Sequence, residues 1–278
     1  MRRFVVVTLM ALVSYNMLGQ VLAKDSLSAY NADSVRAELD KMPYFTLFKD
    51  NYFVGGTTVG HKPTSTNSDV KFQLSISQRL TKSKLPFDTY LFIQYTQKAF
   101  WNVFQESLPM RDLNFNPGIG LGHLIIHHNR YIGKGYLMLE HESNGKDSIF
   151  SRSWNKITLA AALLLDKNWE VQFKTWIPII DSDNNRDILR YNGIFQVAAN
   201  FRTNNRRFNC ALIVTKRARW NMSMNTQVEL SYKFNNNENQ YFFLQYYNGY
   251  GEGLLEYNKF QSKLRIGFVI KPQDFSIY

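Results

Sequence analysis

The sequence predicts an all-β fold, an antiparallel transmembrane β-barrel of about 12 strands, and three observations carry that expectation. Apolar and polar residues alternate with period two over stretches of roughly ten residues, the length a tilted strand needs to cross a bilayer. Polar connectors between these stretches tend to be short and long in turn, as the two ends of an outer-membrane barrel require. Tyr, Trp and Phe gather at strand ends, where interfacial girdles sit.

Along the chain, Met1-Arg2-Arg3, the apolar run Phe4 to Val13 and Val21-Leu22-Ala23 read as a signal peptide over residues 1–23, with the mature chain starting near Lys24. Residues 24–43 look mixed, with a helical stretch from Ala29 to Leu39. One barrel domain then fills the rest of 24–278, with no internal repeat or linker. Strands are expected at 52–59, 69–80, 88–99, 116–128, 130–142, 152–165, 168–180, 189–201, 207–217, 220–233, 239–249 and 260–271. Val70, Phe72, Leu74 and Ile76 show the alternation, as do Val228, Leu230, Tyr232 and Phe234, and Leu264, Ile266, Phe268 and Ile270. Asp166-Lys167-Asn168, Thr203-Asn204-Asn205 and Asn235-Asn236-Asn237 are the short turns. The long loops are 100–115, 143–151, 180–188 and 248–259. A soluble sandwich with one wet face is the alternative reading of any single strand.

Composition narrows the class further. With 21 Phe, 16 Tyr and 5 Trp against 15 Gly and 7 Pro, the chain is neither collagen-like nor disordered. Its one cysteine, Cys210, rules out an internal disulfide framework. No apolar run beyond the N-terminus is long enough for a membrane helix. Without Arg2 and Arg3 the chain holds 31 basic and 22 acidic residues, a formal charge of +9. Such a surface suits anionic lipid. Nothing like a zinc finger or an RNP motif speaks for nucleic acid.

One hairpin could carry chemistry. Leu137, Leu139, His141 and Ser143 share a parity with the apolar wall, and Asn155, Ile157, Leu159 and Leu163 do the same in the following strand. Apolar positions face lipid, so His141, Ser143 and Asn155 should point outward while Glu140 and Glu142 point inward. A hairpin symmetrical about Ser148 sets His141 opposite Asn155. Polar groups on a lipid-facing wall carry a desolvation cost. A serine beside a histidine, with a third group holding the ring, is the arrangement for nucleophilic attack. Spacing alone leaves open the plainer reading, an interfacial histidine and a turn serine.

At these residues the sequence resembles the outer-membrane phospholipase A family. The blocks that carry the resemblance are Tyr95–Trp101 (YTQKAFW), Ser107–Arg111 (SLPMR), His141–Gly145 (HESNG) and Ser151–Asn155 (SRSWN), with weaker similarity from Pro43 to Asn258. The resemblance implies a 12-stranded barrel and a calcium-dependent, dimerisation-activated enzyme that hydrolyses acyl esters of membrane phospholipids and lysophospholipids, at both acyl positions, in the bacterial outer membrane. It implies Ser143 as nucleophile, His141 as general base and Asn155 as the residue orienting it. It implies calcium (Ca2+) held by the Ser151 hydroxyl, the Lys146 carbonyl and Ser107 of a second protomer, with Gln97 in a homodimer interface. Lys146 stands where the family usually has Arg, and Leu108-Pro109-Met110 replaces a Ser-Pro-Phe stretch. The active site should face the outer leaflet. The rival from another class is a non-enzymatic porin or structural barrel. His127 and His128 read as interface residues, and His61 and His123 have no recognisable partners. Asp181, Asp183 and Asp187 lack the glycine and glutamate of a calcium loop. Arg111, Arg152 and Glu142 read as pairing or loop-ordering residues.

Overall fold

The structure, a computed structural model, describes residues 32–128, 130–179, 183–235, 239–272 and 277–278. The expected signal peptide, Asp181, Asn236 and Asn237 lie outside the described residues. A helix α1 (Ala32–Lys41) precedes a short strand β1 (Phe45–Leu47). Twelve longer strands follow: β2 (Asn51–Thr58), β3 (Ser68–Arg79), β4 (Thr89–Trp101), β5 (Met110–His127), β6 (Arg130–Ser143), β7 (Ser153–Leu164), β8 (Trp169–Ile179), β9 (Phe195–Arg202), β10 (Phe208–Lys216), β11 (Met224–Lys233), β12 (Gln240–Gly249) and β13 (Gln261–Ile270). Each pairs antiparallel with its neighbours in sequence, and β13 returns to β2 from Lys263↔Thr58 to Ile270↔Asn51, closing the barrel. Closure leaves no edge strand among the twelve, and every ladder N–H finds a partner without water.

Turn chemistry sets one rim. Asp166 Oδ1 accepts from the Asn168 and Trp169 amides at 2.7 and 2.8 Å, turning β7 into β8 in four residues. Thr203 and Asn205 close the β9–β10 turn in the same way. Three strand boundaries differ from the sequence expectation by more than two residues. β5 begins at Met110, not 116, because Trp101 pairs with Met110 across a bulge and Asn102 donates to the Pro109 carbonyl, so the β4–β5 loop is short. Residues 189–192 form a helical turn α2 (Leu189–Asn192), which delays β9 to Phe195. β11 begins at Met224, because Arg217 to Ser223 fold as a loop closed by the Arg217 amide on the Ser223 carbonyl. The expected helix is present from Ala32 and runs on to Lys41, residues 29–31 lying outside the described residues, and β1 was not anticipated; it pairs along β3 from Phe45↔Gln78 to Leu47↔Ile76.

Side-chain parity sorts the wall. Leu137, Leu139, Leu159, Phe173, Leu212, Phe242, Ile266 and Phe268 stand exposed on the exterior. Phe234, Phe242 and Phe268 cluster at the rim opposite the β6–β7 loop, with centroids 3.9 to 5.9 Å apart. The interior is charged. Arg265 is fully buried, bonding Asp69 at 2.7 and 3.1 Å and Glu252 at 2.6 and 3.2 Å, and Lys71 reaches Glu252 at 3.1 Å. Arg111 joins Asp69 at 3.2 Å, the pairing role its sequence suggested. At the end distant from the β6–β7 loop, α1 packs through Val35 on Leu124 and Tyr131. Ile277 is buried in the lumen among Phe48, Tyr90, Phe92 and Tyr136. A polar cavity of about 200 Å³ remains between these layers, lined by Lys71, Lys98, Glu140, Glu142, Lys156 and Glu229.

Candidate active site

The β6–β7 hairpin places the site. Its register runs from Gly133↔Leu163 to Ser143↔Ser153 and sets His141 opposite Asn155, as a turn centred on Ser148 requires. His141 Nδ1 and Asn155 Oδ1 are 2.8 Å apart. With the carboxamide oxygen accepting, Nδ1 carries the proton and the Nε2 lone pair is left available. Ser143 lies two residues on and shares the face of His141, so hydroxyl and imidazole project from one strand to the same side.

That side is the apolar exterior. His141, Asn155 and Ile179 form one cross-strand row; Ile119, Leu139, Ile157 and Ile177 form the next; Leu121, Leu137 and Leu159 form the one after. Successive rows are about 7 Å apart along the strands. The polar row therefore crowns a greasy platform. On the opposite parity Glu142 faces inward, bonding Lys156 at 3.0 Å and the Trp154 indole at 3.1 Å, while Glu140 accepts from Thr158. The side chain of Asn116 donates to the His141 carbonyl at 2.9 Å, bracing the histidine's backbone from β5.

The β6–β7 loop is built around Asn144. Its Oδ1 accepts from the Arg152 amide at 2.9 Å, its Nδ2 donates to the Phe150 carbonyl at 2.9 Å, and its own amide donates to the Arg152 carbonyl at 3.0 Å. Gly145 follows with φ +63°, and a Cβ there would meet Phe115 at 2.9 Å, so the tight turn away from the strand needs glycine. Arg152 Nη1 donates to the Ile149 and Ser151 carbonyls, both at 2.8 Å, and orders the loop as its sequence suggested. From the β8–β9 loop, buried Asn185 brackets Ser153 through its amide (3.2 Å) and its carbonyl (2.9 Å). Sequence reading gave Asn144 no separate role and missed Asn185 altogether. The first sits inside the HESNG block; the second lies in an ordinary Asp-Asn-Asn-Arg run that carries no signal.

The three expected metal ligands lie on two loops of one rim. Lys146 and Ser151 share the β6–β7 loop, and Ser107, at φ +64°, lies on the β4–β5 loop. The main-chain carbonyls of Lys146 and Ser107 accept no hydrogen bond from the described residues. Among those residues no group of three His, Cys, Asp or Glu side chains could hold a metal. Carbonyl and hydroxyl oxygens are nonetheless the hard donors calcium takes, so this set fits that ion in type. The described residues of the acidic loop hold no such set: Asp183 pairs with Arg186 and Asp187 accepts from the Tyr257 hydroxyl at 2.5 Å. Burial and that carboxylate push the Tyr257 phenol above its usual range. The His127 and His128 rings meet at a tilt, with centroids 4.0 Å apart.

A closed barrel with an apolar exterior and a charged interior defines an outer-membrane protein, and the polar row on its outer wall defines where chemistry could occur. Residues 41–270 match the family model for phospholipase A1. The phospholipase A1 of Escherichia coli K12 is 30% identical over 210 residues, spanning 73% of this chain and 69% of that one. That of Salmonella typhimurium is 30% identical over 222 residues, spanning 77% and 73%. Among solved structures, the calcium-bound dimer of Salmonella typhi outer-membrane phospholipase superposes with TM-score 0.73 at 26% identity, covering 83% of this chain and 93% of that one. Outer-membrane phospholipase A of E. coli gives 0.72 at 26% identity, covering 82% and 94%. The chain belongs to the phospholipase A1 family.

Proposed function

We propose that this barrel is a calcium-dependent serine phospholipase of the outer membrane, cleaving acyl esters of glycerophospholipids and lysophospholipids at either acyl position. Ser143 is the nucleophile, His141 the general base and Asn155 the residue that fixes the imidazole. The observation that carries this reading is the 2.8 Å contact between His141 Nδ1 and Asn155 Oδ1 on the lipid-facing wall, with Ser143 on the same face. The Ser143 oxygen attacks the ester carbonyl as Nε2 takes its proton; the collapsing intermediate expels the lipid alcohol, which receives that proton. Water then cleaves the acyl-enzyme with His141 again as base, releasing fatty acid and restoring the serine. The exposed rows Leu139–Ile157–Ile177 and Leu137–Leu159 align acyl chains below the serine, so substrate arrives by lateral diffusion from the outer leaflet.

Ser151 and Lys146 would hold calcium, with Ser107 of a second copy, and the barrel would be active as a homodimer with Gln97 in the contact. When bound, the ion supplies a positive field for the charge that develops on the carbonyl oxygen. Free carbonyls at Lys146 and Ser107 support this donor set. A two-copy site makes dimerisation the switch, because one chain lacks a complete set. The chain reaches the outer membrane through removal of residues 1–23. Phospholipid hydrolysis by wild type and Ser143→Ala, each with and without a calcium chelator, tests the reading. Hydrolysis is expected only from wild type with calcium, and full activity of Ser143→Ala would end the assignment.

A further inference from the structure

The β10–β11 loop, Arg217 to Ser223, turns at the same rim as the β6–β7 loop, since both join an even-numbered strand to the next odd one. It crowns an unusual sector. Between Asp187 and Glu229 the sequence has no acidic residue, and at this rim it holds Arg190, Lys216, Arg217 and Arg219. On the exterior of β10 the apolar Leu212 and Val214 lead up to Lys216, which pairs across with Met224, so cationic residues begin where the apolar wall stops. The loop is ordered from within: Lys216 Nζ donates to the Arg217 and Arg219 carbonyls, each at 2.7 Å, and the Ala218 amide donates to Leu189 O at 3.2 Å. Trp220 is fully exposed and Met222 nearly so.

The two arginines are short of partners. Arg217 lies over the Tyr250 ring at 4.8 Å, and the Nε atoms of both Arg217 and Arg219 are buried with no acceptor among the described residues. Neither guanidinium has a hydrogen-bond acceptor or an acidic partner among the described residues, and the planar, always-charged fork of each matches a phosphate. Beside them, an exposed indole and thioether suit the boundary between headgroups and acyl chains.

We propose that this loop binds the phosphate of an anionic outer-leaflet lipid, with Arg217 and Arg219 meeting the phosphate and Trp220 and Met222 entering the interface. This is a site apart from the serine and its platform, and it holds lipid without cleaving it. The test uses the full-length protein in nanodiscs of diether phosphatidylcholine doped with diether phosphatidylglycerol. These lipids have no acyl ester, so retention is read independently of the proposed hydrolysis. Native mass spectrometry counts the lipids that stay bound, and quenching by headgroup-labelled phosphatidylglycerol, compared between wild type and Trp220→Phe, reports contact with Trp220. Wild type should enrich phosphatidylglycerol over phosphatidylcholine. Each arginine is worth about five-fold, so Arg217→Gln/Arg219→Gln should lower that preference by about 25-fold. Arg219→Lys keeps the charge but loses the fork, and should fall between the two. Equal retention of both lipids by wild type, or an unchanged preference in the correctly folded double variant, overturns the proposal. Displacement of phosphatidylglycerol by added inorganic phosphate alone would reassign the site to a soluble anion and overturn it as well.

Discussion

Replacing Asn155 with Ala isolates the one contact on which the proposed chemistry depends. The His141 Nδ1–Asn155 Oδ1 bond is a single 2.8 Å bond to a carboxamide. The ring becomes cationic as it takes the serine proton, and the step from a neutral hydrogen bond (about 0.5–1.5 kcal/mol net) to a charged one (about 1.5–3 kcal/mol) is worth about 1–1.5 kcal/mol; 1.36 kcal/mol is tenfold in rate, so Asn155→Ala should lower kcat by roughly 5–13-fold. Removing the nucleophile or the base is different in kind: Ser143→Ala and His141→Ala should each cost about 10⁴-fold or more, and combining them should add little. The assay is the initial rate of phospholipid hydrolysis in mixed micelles at saturating calcium, with barrel folding checked by heat-modifiable gel mobility. In the His141→Ala background, Asn155→Ala should have no further effect, because nothing is left to orient. A loss in Asn155→Ala as large as in Ser143→Ala would refute the view of Asn155 as a neutral brace, and so would an additive loss in the double variant.

The remaining predictions concern the lumen and the metal. Arg265→Met leaves Asp69 and Glu252 buried without their shared cation; breaking such a cluster costs about 3–5 kcal/mol, which should appear as a lowered guanidinium midpoint for the vesicle-inserted barrel. Burial would raise the Glu252 carboxyl, but Arg265 and Lys71 outweigh it and hold it below the ordinary carboxylate range. A depressed folded-state value means stability that is present above about pH 4.3 and lost as pH falls, so Glu252→Gln should be less stable than wild type at neutral pH and the gap should narrow in acid denaturation. Ser151→Ala should raise the calcium concentration needed for half-maximal activity at least tenfold, whereas Lys146→Met, whose donor is the main-chain carbonyl, should leave it within about two-fold. Planar bilayers holding wild type should show no porin-like open channel, because Lys71–Glu252, Lys156–Glu142 and Ile277 cross the lumen; steady conductance on that scale would contradict the packing described here.

Local pattern made most of the wall legible. Alternation at Val228–Phe234 or Leu264–Ile270 needs no distant partner to be read, since a residue's parity fixes its face once one face is known to be apolar. The boundaries that moved are those decided by tertiary contacts. Nothing in Met110-Arg111-Asp112 announces a strand until Trp101 and Asn102 pair across to Met110 and Pro109. The amphipathic look of Leu189–Asn192 suits a strand as well as a turn of helix, and the capping bond of Gly193 to Leu189 decides it.

The site divides along the same line. His141, Ser143 and Asn155 could be placed on one face by counting residues from Ser148, because a symmetric hairpin converts sequence separation directly into spatial opposition. What could not be counted is the scaffold that holds the loop beyond them. Asn144 ties residues 144–152 into a closed turn, Asn185 reaches in from the β8–β9 loop, and Asn116 braces the His141 backbone from β5. Each is an asparagine, a side chain that both donates and accepts yet adds no charge beside a lipid-facing wall. An aspartate in any of these places could not donate to the Phe150, Ser153 or His141 carbonyl that each amide now meets. Their number hides their importance in the sequence, where asparagine reads as turn. Only when the barrel closes do three of them converge on one hairpin, and the loop that would hold the metal takes its shape from theirs.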